Sequence, residues 1–156
     1  MKNFIVVCDN LRSCYNVGSI FRTADALAIE KIYLSGFTPS PEDNFKKIQK
    51  TALGAIDSVQ WQKIKNTWRI LKKLKEEGYY LIALEKTKNS IPFYKFKKRK
   101  DKIVIVLGNE VKGLSPSILK RCDVVLEIPM AGIKESLNVS VAFGIIGYWL
   151  KYAKEF

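Results

Sequence analysis

At 156 residues, with 47% apolar and 27% charged side chains, the chain fits one ordinary folded domain over residues 1–156, and a disordered or fibrous protein is excluded. Its 27 Lys and Arg against 15 Asp and Glu leave a net charge of +12, which favours a polyanionic partner, nucleic acid ahead of an anionic membrane surface. No histidine is present, which excludes a histidine base, a Ser-His-Asp triad and most metal sites, and Cys8, Cys14 and Cys122, odd in number and without CxxC spacing, suggest neither a zinc site nor a disulfide framework.

In chain order, short β-rich runs alternate with stretches of helical period, the pattern of an α/β fold with a mainly parallel sheet flanked by helices. Strands are expected at 4–8, 31–35, 58–61, 79–84, 103–107 and 124–128, several almost wholly apolar as in a sheet covered on both faces. Helices are expected at 17–28, 44–51, 65–77, 115–121 and 138–152. Gly78 is a C′ stop for the third, and Ser115-Pro116 is an N-cap followed by an N1 proline for the fourth. The last helix is apolar nearly all round and has to be buried, in the core or against another subunit, with Gly144 and Gly147 allowing another backbone to approach. The apolar stretch 139–150 is too short to span a bilayer, which takes about 20 residues. The first nine residues lack the basic, apolar and cleavage regions of a signal peptide, so a cytoplasmic protein is expected.

Three segments can carry chemistry. Asn16-Val-Gly-Ser-Ile-Phe-Arg22-Thr-Ala lies where the loop after the first strand enters a helix. Asn16 can cap that helix or hold a neighbouring loop, and Arg22 offers a planar fork suited to phosphate; a plain cap and a surface arginine explain the two equally. Leu107-Gly-Asn-Glu-Val-Lys-Gly-Leu114 follows an apolar strand, where ligands bind in open α/β sheets, but it is neither GxGxxG nor a Walker A loop and also reads as a simple connection. Ile128-Pro-Met-Ala-Gly-Ile-Lys-Glu-Ser-Leu-Asn-Val-Ser140 gathers Ser136, Asn138 and Ser140 at the mouth of an apolar helix, where each needs a partner. The basic run from Lys95 to Lys102, with Tyr94 and Phe96 beside it, suits either an RNA backbone or a solvated loop.

Taken together, NxGxxxRTA, LGNExxGL and IPMxGxxESLNVSVA resemble the three motifs of the SpoU (TrmH) family in the SPOUT superfamily of RNA methyltransferases. The resemblance runs from Phe4 to about Lys151 and takes in Thr51-Ala-Leu-Gly-Ala55 and Ala83-Leu-Glu-Lys-Thr-Lys-Asn-Ser90. It implies a C-terminal deep trefoil knot, against the usual rule of unknotted chains. It implies S-adenosylmethionine as cofactor, with no metal, and methylation of a ribose 2′-hydroxyl in RNA. By the same analogy Leu84, Gly108, Ile128, Ser136 and Leu137 surround the cofactor, and Arg22, Asn16, Glu110, Ser136 and Asn138 form the catalytic set. A homodimer is implied, the arginine of one subunit serving the pocket of the other. A guanidinium keeps its proton at physiological pH, so Arg22 is expected to position and stabilise rather than act as the base. Transfer RNA is the preferred target and ribosomal RNA the other. A base-nitrogen methyltransferase and an inactive RNA-binding protein on the same fold are the competing readings. With no separate RNA-binding domain expected, RNA capture falls to the catalytic domain.

Overall fold

A computed structural model describes residues 3–97 and 101–152. Strand β1 (Asn3–Asp9) leads into helix α1 (Cys14–Ala26), followed by β2 (Lys31–Ser35), α2 (Pro41–Ala52), the short α3 (Ala55–Ser58) and β3 (Trp61–Ile64). Then come α4 (Thr67–Glu76), β4 (Tyr80–Leu84), the two-residue β5 (Ile91–Pro92), β6 (Lys102–Leu107), α5 (Pro116–Leu119), β7 (Val124–Glu127) and α6 (Val139–Tyr152). The strands pair in the order β3-β2-β1-β6-β4-β7-β5, every pairing parallel among the described residues.

The two-residue alternation of a strand sorts the core into two layers. Phe4, Val6 and Cys8 of β1 face α1, α2 and α6 through Ile20, Phe21, Ile48, Phe143 and Ile146. Ile5 and Val7 point the other way and meet Leu71 and Leu74 of α4 and Ile118 of α5. Both sides of the central strands are therefore dry, which accounts for their unbroken apolar runs.

Most elements fall within a few residues of expectation. The strand expected at 58–61 does not form there: residues 55–58 make a helical turn, and pairing begins at Trp61, opposite Ile32. Val59 is buried, but as the residue that closes this turn. Helix α1 starts three residues early because the Ser13 side chain accepts from the Asn16 N–H, and α2 starts at Pro41, an N1 proline that tolerates the missing N–H. Asn44, the expected start of α2, instead sits at a kink within it. Gly78 takes φ of +86° beyond α4, as a C′ glycine should, and Ser115-Pro116 opens α5.

Helix α6 is covered on one side only. Phe143, Ile146, Gly147 and Leu150 are buried, whereas Val141, Ile145, Tyr148 and Tyr152 stay between 38% and 59% exposed, forming an apolar stripe. The neighbours of its glycines are side chains rather than backbone: a Cβ on Gly147 would lie 2.6 Å from Cδ1 of Leu27, the C-cap of α1, and 3.4 Å from the Phe143 ring, and one on Gly144 would lie 3.9 Å from Thr23 Cγ2 of α1. Among the described residues no helix is long and apolar enough to cross a membrane.

Candidate active site

The carboxyl ends of β4, β6 and β7 open into a cleft of about 500 Å³, within the usual range for a small-molecule site. Its walls are the 108–113 loop, the 128–138 segment, the first turns of α1 and α6, and Leu84 to Lys86. Of the residues expected from sequence, Asn16, Leu84, Gly108, Glu110, Ile128, Ser136, Leu137 and Asn138 all line it. Three segments dispersed over more than 120 positions thus meet at one place.

What holds them is a chain of hydrogen bonds. Glu110 Oε2 accepts from the Arg12 N–H at 2.8 Å, and Oε1 accepts from the Ser13 N–H at 3.1 Å and from Asn16 Nδ2 at 2.9 Å. Asn16 Oδ1 in turn accepts from Asn138 Nδ2 at 2.9 Å. Asn138 Oδ1 then takes the N–H of Ser140 at 2.9 Å and its hydroxyl at 2.7 Å, which caps the start of α6. Asn16 is therefore a link between loops, the helix cap being Ser13. Burial by itself would raise the Glu110 pKa, but the hydrogen bonds from Asn16 and from the Arg12, Glu110 and Ser13 backbones outweigh it and bring it below the ordinary carboxylate value. Glu110 is thus a committed anion and a poor proton acceptor.

The 108–114 loop folds tightly on itself. A Cβ at Gly108 would lie 2.7 Å from both Gly113 C and Leu114 N, so only glycine leaves this fold of the backbone undisturbed. Asn109 ties the loop to β1 by donating to Asn10 O at 2.7 Å, and its Oδ1 accepts from the Val111 and Lys112 N–H groups. Glu85 ties it to β4 by accepting from Leu114 N–H at 2.9 Å. Neither Glu85 nor Asn109 stands among the residues expected from sequence. The available signal was position: a polar residue immediately after an apolar parallel strand, at its carboxyl end. Glu127, which accepts from the Ser90 hydroxyl at 2.6 Å, and Glu135 also line the cleft. Glu85, Glu110, Glu127 and Glu135 together face a single lysine, Lys86, so the cleft suits a ligand with positive charge and disfavours a naked polyphosphate.

Arg22 does not line this cleft. It is exposed on α1, one heptad beyond the half-exposed Tyr15 and hence on the same helix face. The cysteines offer no nucleophile in the cleft. Burial and then the Glu110 and Asp9 charges push the Cys8 thiol far up, and burial with Asp123 pushes Cys122 up to about 12. In the basic run, Lys98, Arg99 and Lys100 lie outside the described residues. Phe96 is stacked on Tyr80 at 6.0 Å and packed by Trp149, so its ring is already engaged; Tyr94 is 59% exposed. Among the described residues no group of three or more Cys, Asp or Glu is placed to hold a metal ion.

Comparison with known proteins gives a consistent picture. The model of the SpoU rRNA Methylase family matches residues 3–148. The tRNA (guanosine(18)-2′-O)-methyltransferase of Aquifex aeolicus strain VF5 is 33% identical over 154 residues, covering 99% of this chain and 71% of that protein. The AdoMet-bound rRNA methyltransferase of Sinorhizobium meliloti superposes with a TM-score of 0.89 at 25% identity, over 97% of this chain and 56% of that one. A protein solved in a study of 2-OH methylation of C/U34 on tRNA gives 0.79 at 25% identity, over 96% and 94%. Several other curated relatives are spanned over only 56 to 57% of their length.

Proposed function

The chain belongs to the SpoU rRNA methylase family of RNA 2′-O-ribose methyltransferases, and from that footing we propose that it methylates a ribose 2′-hydroxyl of transfer RNA with S-adenosylmethionine as donor. The observation that carries this reading is the cleft itself, in which the Glu110–Asn16–Asn138 chain joins all three motif segments. Its volume suits a nucleoside-sized ligand, and its carboxylate excess suits a cofactor bearing ammonium and sulfonium charges. Bound there, S-adenosylmethionine supplies a methyl group already activated by its positive sulfur. The preference for transfer RNA follows the Aquifex relative and the protein of the C/U34 study.

The chain's own residues then have positioning as their main task, worth several kcal/mol where reacting atoms are held in line. Leu84, Ile128 and Leu137 provide the apolar walls for the adenine, and Gly108 lets main chain approach it. Ser136 and Asn138 shape the place where cofactor and ribose meet, while Glu110 and Asn16 act through them as positioning residues. Arg22, exposed on α1, anchors the target phosphate and stabilises charge that develops on the 2′-oxygen. Because it stands outside the cleft of its own chain, it serves the cleft of a second copy. The exposed stripe of Val141, Ile145, Tyr148 and Tyr152 supplies the self-complementary face for a twofold dimer.

The test is incubation of purified protein with methyl-labelled S-adenosylmethionine and total RNA, then nucleoside mass spectrometry of the separated RNA classes. Label in a 2′-O-methylnucleoside of the transfer RNA fraction is the expected result. Label only in ribosomal RNA would move the target, label on a base would overturn the ribose reading, and failure to bind the cofactor would leave an RNA-binding protein.

A further inference from the structure

A second cavity, of about 340 Å³, opens on the other side of the 108–114 loop, at the carboxyl edge of β1 and β2 and the start of α4. Asn109 and Gly113 line both cavities, so only the thickness of this loop separates them. The chemistry of the two differs. Where the first gathers carboxylates, the second carries Lys65 and Lys112, both exposed, and two exposed rings, Phe37 at 72% and Trp68 at 43%. Its one acid, Asp9, is 6% exposed and already holds Asn10 Nδ2 and the Thr67 hydroxyl. Lysines beside exposed rings make a surface on which a single-stranded nucleotide can set its phosphate and stack its base.

We propose that this second cavity is an RNA subsite for a nucleotide flanking the methylated one, with phosphate on Lys65 and Lys112 and base against Trp68 or Phe37. The occupant follows from charge complementarity in a chain of net charge +12 and from the shared loop, which sets an RNA strand leaving the first cleft beside the second. The inference rests on the reading of the first cleft as an RNA methylation site.

The test measures binding of fluorescently labelled bulk transfer RNA by anisotropy across a salt series. It compares the full-length protein with Lys65→Ala/Lys112→Ala and with Lys72→Ala/Lys73→Ala, which removes the same charge from the exposed back of α4. The expected result is about tenfold weaker binding by the first variant, with a log–log salt slope shallower by about 1.4 to 1.8, and less than about threefold weakening by the second. Trp68→Ala is expected to lose roughly fivefold or more, and Trp68→Phe to recover most of it. Equal losses in the two lysine pairs, or no RNA binding by the wild-type protein, overturn the subsite. Cofactor affinity and methyl transfer are read in the same proteins. RNA methylation with unchanged KM in Lys65→Ala/Lys112→Ala overturns the subsite and leaves the enzyme reading standing. Selective loss of RNA affinity without methylation by any of the proteins overturns the enzyme reading, and with it the place of this cavity beside a methylated nucleotide, and leaves an RNA-binding surface alone.

Discussion

Glu110 cannot be exchanged for its amide without loss, because its two oxygens accept three donors: two backbone N–H groups and the Asn16 amide. In Glu110→Gln one acceptor oxygen becomes a donor that faces other donors. The carboxylate is largely exposed, so the cost in stability is small, about 1 kcal/mol after allowance for solvent, while cofactor affinity falls as the loops separate. The pH dependence has a defined sign. Glu110 has its pKa lowered in the folded protein, so its contribution is complete above the unfolded value of about 4.3 and disappears as pH falls through the folded value. Urea titrations should therefore show a gap between wild type and Glu110→Gln that is constant from neutral pH to about 5 and closes in more acid solution; a gap that widened with acid would sink this account. At this scale the sequence was legible in kind but not in contact. Asn16 and Asn138 could be singled out by their places at the starts of helices, whereas Glu110 entered only through the family resemblance. Their bonds to one another span 94 and 122 positions, and no local pattern encodes a pairing at that separation. Glu85 and Asn109, which tether the same loop, lie inside family-like segments, 83–90 and LGNExxGL, but neither segment says which of its residues makes a long-range bond.

Between elements, the tightest approach is that of α1 to α2. A Cβ on Gly18 would sit 2.1 Å from Thr51 Oγ1 and 2.2 Å from the Ile48 carbonyl oxygen. A hydroxyl can rotate away, but a helical carbonyl cannot, so Gly18→Ala forces the two helices apart. The expected loss is about 1–3 kcal/mol in urea unfolding with an unchanged m-value, against less than about 0.5 kcal/mol for Gly132→Ala, whose added methyl meets nothing within 4 Å. The glycine of the first motif is thus a packing requirement, whereas its neighbour Asn16 has a polar task, bonded to Glu110 and Asn138. Elements with a strong period were legible in the sequence: the apolar runs of β1, β4 and β6, and α4 with Ile70, Leu71 and Leu74 on one side. Those that failed have weak patterns. Trp61-Gln-Lys-Ile64 is a peripheral strand whose residues are only partly buried, so its alternation blurs and the expectation slid onto the preceding turn around Val59. Strand β5 consists of Ile91 and Pro92 alone, below the length at which any period exists.

At the scale of the whole molecule, the burial that the composition of α6 calls for is met on one side only: that side packs on α1, and the other leaves Val141, Ile145, Tyr148 and Tyr152 uncovered. The knot that family membership implies belongs to this scale too, since threading depends on the path of the entire chain and leaves no mark in the spacing of residues. If the stripe joins two copies and Arg22 of each completes the cleft of the other, Arg22→Ala and Asn138→Ala should each lower kcat by about a hundredfold or more as homodimers. A heterodimer of the two, coexpressed with different tags and purified through both, contains one cleft with Asn138 intact and Arg22 supplied from across the axis. It should regain roughly half the wild-type rate per dimer, since one of two composite sites is whole. An arginine that worked on its own cleft would leave both sites of that heterodimer broken, and no activity would return. Tyr148→Asp, which puts a charge into the apolar stripe, should give monomers by sedimentation and lose kcat as Arg22→Ala does, while each monomer keeps its cofactor affinity; a fully active monomer would show that the second copy contributes nothing to the reaction.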